Sequence, residues 1–288
     1  MSNKDLLENI KKLREITGVG FKDCKNALDE TKGDIEKSIE FLRKKGIAKA
    51  SKKMSRISSE GLVLATEREG KVSIIEINSE TDFVAKNKEF ITFCKELSEL
   101  NFVNKGVIEK LNDTKMSNGI TVKENLINLI AKIGEKIIIR RADFFDNSKG
   151  LNFYYVHSAL EKNIGKIISV VKIDGIIRGK NDEVASKIAM HIAASSPLAL
   201  NKEDIDKNIV DKEFEIIKEE VKNSGKPKDM IEKISKGKLS KFLNDNSLMN
   251  QIWIMDPKKK VVDVLKENSK DKDIKILDFI RYKVGEGV

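Results

Sequence analysis

Apolar residues recur at helical spacing through the first 45 residues. Leu6, Ile10 and Leu13 share one face, followed by Phe21, Cys24, Ala27 and Leu28, then Ile35, Ile39 and Leu42. Thr17-Gly18-Val19-Gly20 and Gly33 separate these runs, Asp34 is placed to cap the third, and Gly46 is placed to end it. The pattern predicts a three-helix domain over 1–46, with a core too small to be very stable alone, as suits a docking module. Residues 47–60, basic and Ser-rich, read as a linker.

Beyond the linker the period changes to that of a sheet. Gly61–Thr66 and Lys71–Ile77, around the charged turn Glu67-Arg68-Glu69-Gly70, predict a hairpin, and Phe90, Phe93, Cys94, Leu97 and Leu100 predict a helix after it. An amphipathic helix over 122–133, with Gly134 as its C-cap, leads to a short strand at 136–141. The unit then recurs: strands at 153–160 and 166–173, and a helix led by Asp182 that carries Val184, Ile188 and Ile192. Gly70-Lys71-Val72 matches Gly165-Lys166-Ile167 at an offset of 95 residues, which predicts two subdomains related by duplication. After Pro197, amphipathic runs at 211–223 and 229–243 flank Ser224-Gly225-Lys226-Pro227 and predict an antiparallel helical hairpin. Gln251–Met255 and Phe279–Gly287 read as further strands. The expected class is α+β: the helical domain, a core N-subdomain at 61–142 and a core C-subdomain at 143–288, with antiparallel sheets and a hairpin inserted at 203–250. A partner would be expected at the surface the two subdomains share.

The joint Ser79-Glu80-Thr81-Asp82-Phe83-Val84-Ala85-Lys86-Asn87, between a predicted strand and a predicted helix, leaves two readings open. In one, Thr81 or Asp82 is an ordinary N-cap with Phe83 tucked beneath. In the other, Phe83 points outward as an apolar wedge beside a carboxylate. Composition narrows the chemistry. The 288 residues carry 55 Lys and Arg against 46 Asp and Glu, a formal charge of +9, and residues Arg43 to Arg56 hold seven basic side chains and no acid. That run is compatible with a basic RNA- or ribosome-binding protein, or with a solvated strip that docks an acidic partner. Cys24 and Cys94 stand 70 residues apart, and His157 and His191 have no metal-ligating neighbours at useful spacing, so neither disulfide nor metal is expected. The sequence shows no Gly-x-Ser-x-Gly, Cys/His pair or HExxH, and Gly175-Ile176-Ile177-Arg178-Gly179-Lys180 falls one residue short of a phosphate loop, with Asn181 at the magnesium-binding position. An enzyme with its own cofactor is therefore not expected. The N-terminus lacks an apolar signal segment and no run approaches a membrane span, so the expected setting is the cytoplasm.

Thr81-Asp82-Phe83-Val84-Ala85-Lys86-Asn87 resembles the signature of the elongation factor Ts family, the guanine-nucleotide exchange factors of elongation factor Tu. Leu13 to Gly20 with Asp23-Cys24-Lys25, Ala27-Leu28 and Gly33-Asp34-Ile35 resembles the family's ubiquitin-associated-like (UBA-like) domain. Ile133-Gly134-Glu135 through Arg140-Arg141, Ala189 to Ser195, Ile254-Met255-Asp256-Pro257 and Phe279 to Gly287 resemble further family segments, in order along nearly the whole chain. The resemblance implies GDP release from elongation factor Tu without covalent chemistry, with no cofactor and no direct nucleic-acid binding. It implies that Thr81, Asp82, Phe83 and Val84 enter the partner near its magnesium ion, and that Phe21, Lys25, Ile133, Gly134, His157, Ile254 and Met255 make further contacts. The family's hairpin is a coiled coil that joins two copies in some members. Some members also continue into a C-terminal helix that grips the partner, whereas this chain ends at Val288.

Overall fold

The computed structural model describes residues 3–17, 19–177, 179–223, 227–269 and 273–288. Three helices open the chain: α1 (Asn3–Thr17), α2 (Phe21–Glu30) and α3 (Ile35–Lys53), around Ile10, Leu13, Cys24, Ala27, Leu28 and Leu42. Asp34 caps α3 as expected, accepting the Lys37 N–H at 3.0 Å; Gly18, assigned to the stop before α2, lies outside the described residues. The expected end at Gly46, and with it a linker from 47, is corrected: α3 continues to Lys53. Gly46 is buried, and a Cβ placed there would stand 3.6 Å from Ala131 and 3.8 Å from Ile127. Close packing on that neighbouring helix offsets the roughly 1 kcal/mol that glycine costs a helix interior.

The chain then forms β1 (Glu60–Arg68), β2 (Lys71–Ser79), the single turn α4 (Asp82–Ala85), α5 (Lys88–Val103), α6 (Ile108–Asp113), α7 (Val122–Ile133) and β3 (Ile137–Phe145). Its second half runs β4 (Leu151–His157), β5 (Ile164–Gly165), β6 (Ile167–Asp174), α8 (Asp182–Ser195), α9 (Lys207–Asn223), α10 (Lys228–Asn246), α11 (Val261–Asn268) and β7 (Lys275–Lys283). The strands make two antiparallel sheets, ordered β3-β2-β1-β5 and β4-β6-β7. Alternation along each strand decides the layers. Leu62, Leu64, Ile75 and Ile77 meet Phe90, Cys94, Leu97 and Ile130 of α5 and α7, while Val63, Ala65, Val72 and Ile74 meet Ile168, Val170 and Tyr282 of the other sheet. Phe153, Val171 and Ile173 cover Ile188, Ile192 and Leu265. The core is thus four layers, helix, sheet, sheet, helix, of mixed α+β class.

Both halves run from antiparallel strands through a set of helices to a closing strand, with β3-β2-β1 answered by β7-β6-β4. The halves are less separate than the sequence implied. β3 runs past residue 142 to Phe145, and β5 leaves the second half to pair with β1. α9 and α10 pack side by side with Ile217 and Val221 buried, and Lys238 reaches Glu220 across the pair at 2.7 Å; Ser224–Lys226 of the expected turn lie outside the described residues. Two expected strands are corrected. Residues 251–255 form an irregular loop closed by one bridge, Ile252 to Lys260, because Trp253 turns inward and the Asp256–Pro257 step reverses the chain. The last strand stops at Lys283, where Gly285 with φ +72° curls the chain end.

Candidate functional site

Strand register gathers most of the expected site at one end of the sandwich. Glu60 pairs with Ser79 and Ser79 with Ile137, so the start of β1, the end of β2 and the start of β3 coincide. In the second sheet His157 pairs with Ile167, and Ile167 with Lys283. Lys166 joins the two ends, its Nζ donating to Glu60 Oε2 at 2.8 Å and to the Gly61 carbonyl at 3.1 Å. Thr81–Val84, Ile133–Gly134 and His157 therefore belong to one region.

The joint itself departs from both expected capping schemes. Asn87, not Thr81 or Asp82, caps the long helix, its Oδ1 accepting from the N–H groups of Glu89 at 2.8 Å and Phe90 at 3.3 Å. Asp82–Ala85 is left as a separate turn, with Val84 and Ala85 buried and Phe83 80% exposed. Crossed carboxylates hold this turn. Glu135 accepts the Thr81 N–H at 3.0 Å and the Thr81 hydroxyl at 2.8 Å, while Glu80 accepts the Lys136 N–H at 2.6 Å and the Arg56 guanidinium at 3.0 Å. Burial pushes the Glu80 carboxyl up, but the Lys136 amide and Arg56 outweigh it and hold it below the usual range. Asp82 reaches Lys86 at 2.7 Å, and that ammonium keeps its carboxyl low and ionised.

Gly134, at φ +85°, ends α7 as expected of a C-cap, and this left-handed step delivers Glu135 to Thr81. Ile133 is half-buried against the first core. His157 is exposed at the end of β4, its Nδ1 3.3 Å from the Tyr155 hydroxyl.

The remaining expected residues lie elsewhere. Phe21 and Lys25 are exposed one turn apart on α2, while Asp23 between them turns to Lys45 and Lys49 of α3, at 3.0 Å each. Ile254 and Met255 are exposed on the loop that covers α8, on the outer helical layer. That loop is seated on His191, whose Nδ1 accepts the Ile254 N–H at 3.4 Å and whose Nε2 donates to Gln251 at 3.0 Å, while Trp253 stacks on the ring at 5.2 Å. Burial depresses the His191 pKa and keeps the ring neutral.

Sequence reasoning missed the groups that brace the site. Glu76 is fully buried between the sheets, accepting Arg140 at 2.9 Å, Arg141 at 2.6 Å and the Gly285 N–H at 2.9 Å. A bulge in the β2–β3 register beside Glu76 lets two successive arginines converge on one carboxylate. The available signal was a lone acid within Ser73-Ile74-Ile75-Glu76-Ile77. The basic run is also largely occupied within the molecule: Arg43 pairs with Glu124, Lys44 with Glu40, Lys45 and Lys49 with Asp23, and Arg56 with Glu80.

Among the described residues no cluster of His, Cys, Asp or Glu could hold a metal ion, and no helix is long and apolar enough to cross a membrane. What the end of the sandwich offers is an outward ring, an ionised carboxylate and a rigid backing, the equipment of a protein that works on another macromolecule by contact. The comparisons with known proteins give that class its name. The model of the family described as elongation factor TS matches residues 80–286. Elongation factor Ts of Rickettsia felis is 40% identical over 283 residues, covering 97% of this chain and 91% of the relative. The protein of the same name from Maricaulis maris is 40% identical over 286 residues, with the same shares covered. The chain belongs to the elongation factor Ts family, and its role is that of a translation elongation factor.

Proposed function

We propose that this chain is a guanine-nucleotide exchange factor without covalent chemistry, which binds GDP-bound elongation factor Tu and accelerates GDP release. Asp82 and Phe83 enter the partner near its magnesium ion, where the ring displaces groups that hold the nucleotide and the carboxylate reorganises polar groups around the metal. Burying the Phe83 side chain contributes roughly 1.5–3 kcal/mol to the emptied state. Because the turn is already braced by Glu80 and Glu135, little ordering entropy is lost on insertion. Ile133, Gly134 and His157 extend the contact at the same end, while Phe21 and Lys25 on the helical module and Ile254 and Met255 on the outer loop anchor the partner elsewhere. We read the three helices α1–α3 as a UBA-like module and α9–α10 as a coiled-coil hairpin whose exposed Ile209, Ile216 and Met230 are open to a second copy. The setting is the cytoplasm. Direct nucleic-acid binding is not part of this reading, since most of the basic run already faces acids of the same chain.

The observation that carries the proposal is Phe83, four-fifths exposed beside an ionised carboxylate on a clamped turn. The test is the release of labelled GDP from elongation factor Tu. Phe83→Ala is expected to slow stimulated release about tenfold or more while melting at the wild-type temperature, and unchanged release would remove Phe83 from the mechanism.

A further inference from the structure

We infer that Ile57 is a second partner-contacting residue, presented alongside Phe83 by the same clasp; the inference rests on the exchange reading above. Ile57 is 75% exposed, and it and Phe83 are the two most exposed large apolar side chains among the described residues. They are 26 positions apart in sequence but share one end of the sandwich, because Glu60, three residues after Ile57, pairs with Ser79.

The exposure is imposed by structure on both sides of the residue. Arg56 donates to both Glu80 oxygens, at 3.2 and 3.0 Å, and its carbonyl accepts Lys136 Nζ at 2.7 Å. Glu80 in turn accepts the Lys136 N–H, so the segment before β1 and the turn bearing Phe83 hang from the same carboxylate. After Ile57, Ser58 is buried, and the Ser59 carbonyl lies so close to Gly285 that a Cβ there would stand 2.0 Å from it. A branched aliphatic side chain held out between two anchored neighbours cannot fold back to hide itself. Paired with an exposed aromatic ring at the same end, it makes a two-pronged apolar contact rather than a lone surface residue. The occupant is the elongation factor Tu surface that receives Phe83, by continuity of the two prongs on one braced unit.

The two prongs differ in role, and kinetics separate them. Ile57, carried by the segment before β1 and not by the turn that bears Asp82, supplies binding that is the same before and after nucleotide leaves, whereas Phe83 acts on the emptied site. GDP release is measured over a range of concentrations of the full chain. Ile57→Ser is expected to raise the half-saturating concentration about tenfold, leaving the saturating rate within about twofold and the melting temperature unchanged; Ile57→Leu restores wild-type behaviour. Phe83→Ala is expected to lower the saturating rate. Normal wild-type stimulation with an unchanged half-saturating concentration for Ile57→Ser would overturn this inference alone. A wild-type chain that gives no stimulation would overturn the exchange reading, and this inference with it.

Discussion

Glu76 shows how much one side chain can govern at a distance. Its carboxylate lies at the interface of the two sheets, where an unpaired charge would be excluded, and it is kept ionised because Gly285, Arg141 and Arg140 outweigh the effect of burial. Arg141 also lies over the Tyr282 ring at 4.1 Å, and both arginines reach carbonyls near the chain end, so β3 is tied to the end of β7 directly as well as through Glu76. Glu76→Ala would deprive two part-buried guanidiniums of their shared carboxylate, and a loss of about 3 kcal/mol in urea unfolding is expected. The pH dependence has a definite sign. The folded carboxyl titrates below its ordinary value of 4.5, so this stabilisation is present above that value and is lost as pH falls through the folded one. The gap between wild type and Glu76→Ala is therefore expected to close in acid. Periodicity marked Glu76 as an anomaly but could not name its partners, which stand 64, 65 and 209 positions away.

At the scale of elements, most helices and paired strands were legible because their apolar spacing matches their burial, as in α8 with Val184, Ile188 and Ile192. Errors arose where a tertiary contact overrode a local signal. Gly46 resembled a stop and proved to be a packing surface; Gln251–Met255 read as a strand, yet Trp253 was recruited to a histidine in another element. The second case has a measurable consequence. His191 is buried neutral and titrates below 6.5, so the unfolded chain binds more protons in the interval and stability falls as pH drops below about 6.5. Comparing urea midpoints at pH 7.5 and 5.5, the wild type is expected to lose more stability than His191→Gln. The joint at Thr81 was half legible: spacing located a strand-to-helix boundary, but only long-range bonds to Glu135 and Lys136 explain why the turn stands apart from α5 with its ring outward.

For the whole molecule, reciprocity is the strictest demand on the proposed function. Whatever factor this chain weakens GDP binding by, GDP must weaken the chain's own hold on elongation factor Tu by the same factor. Calorimetric titration into GDP-bound and nucleotide-free partner is expected to give affinities in that ratio, and equal affinities would exclude exchange. The duplicated order of strands was readable from a 95-residue offset, whereas the exchange of β5 between halves was not, because a two-residue strand has no periodicity to read.

The uninterrupted course of α3 also bears on how a partner would be held. Nineteen residues at 1.5 Å each make a rod of about 28 Å, rooted among the first three helices at one end and leading within a few residues to the Arg56–Glu80 pair at the other. Its glycine is pressed against α7 partway along, so the rod is fixed sideways as well. The spacing between the two regions is thereby set as if by a ruler: a molecule gripped at the helical module meets the ring-bearing end in register, without the search that a loose tether would require.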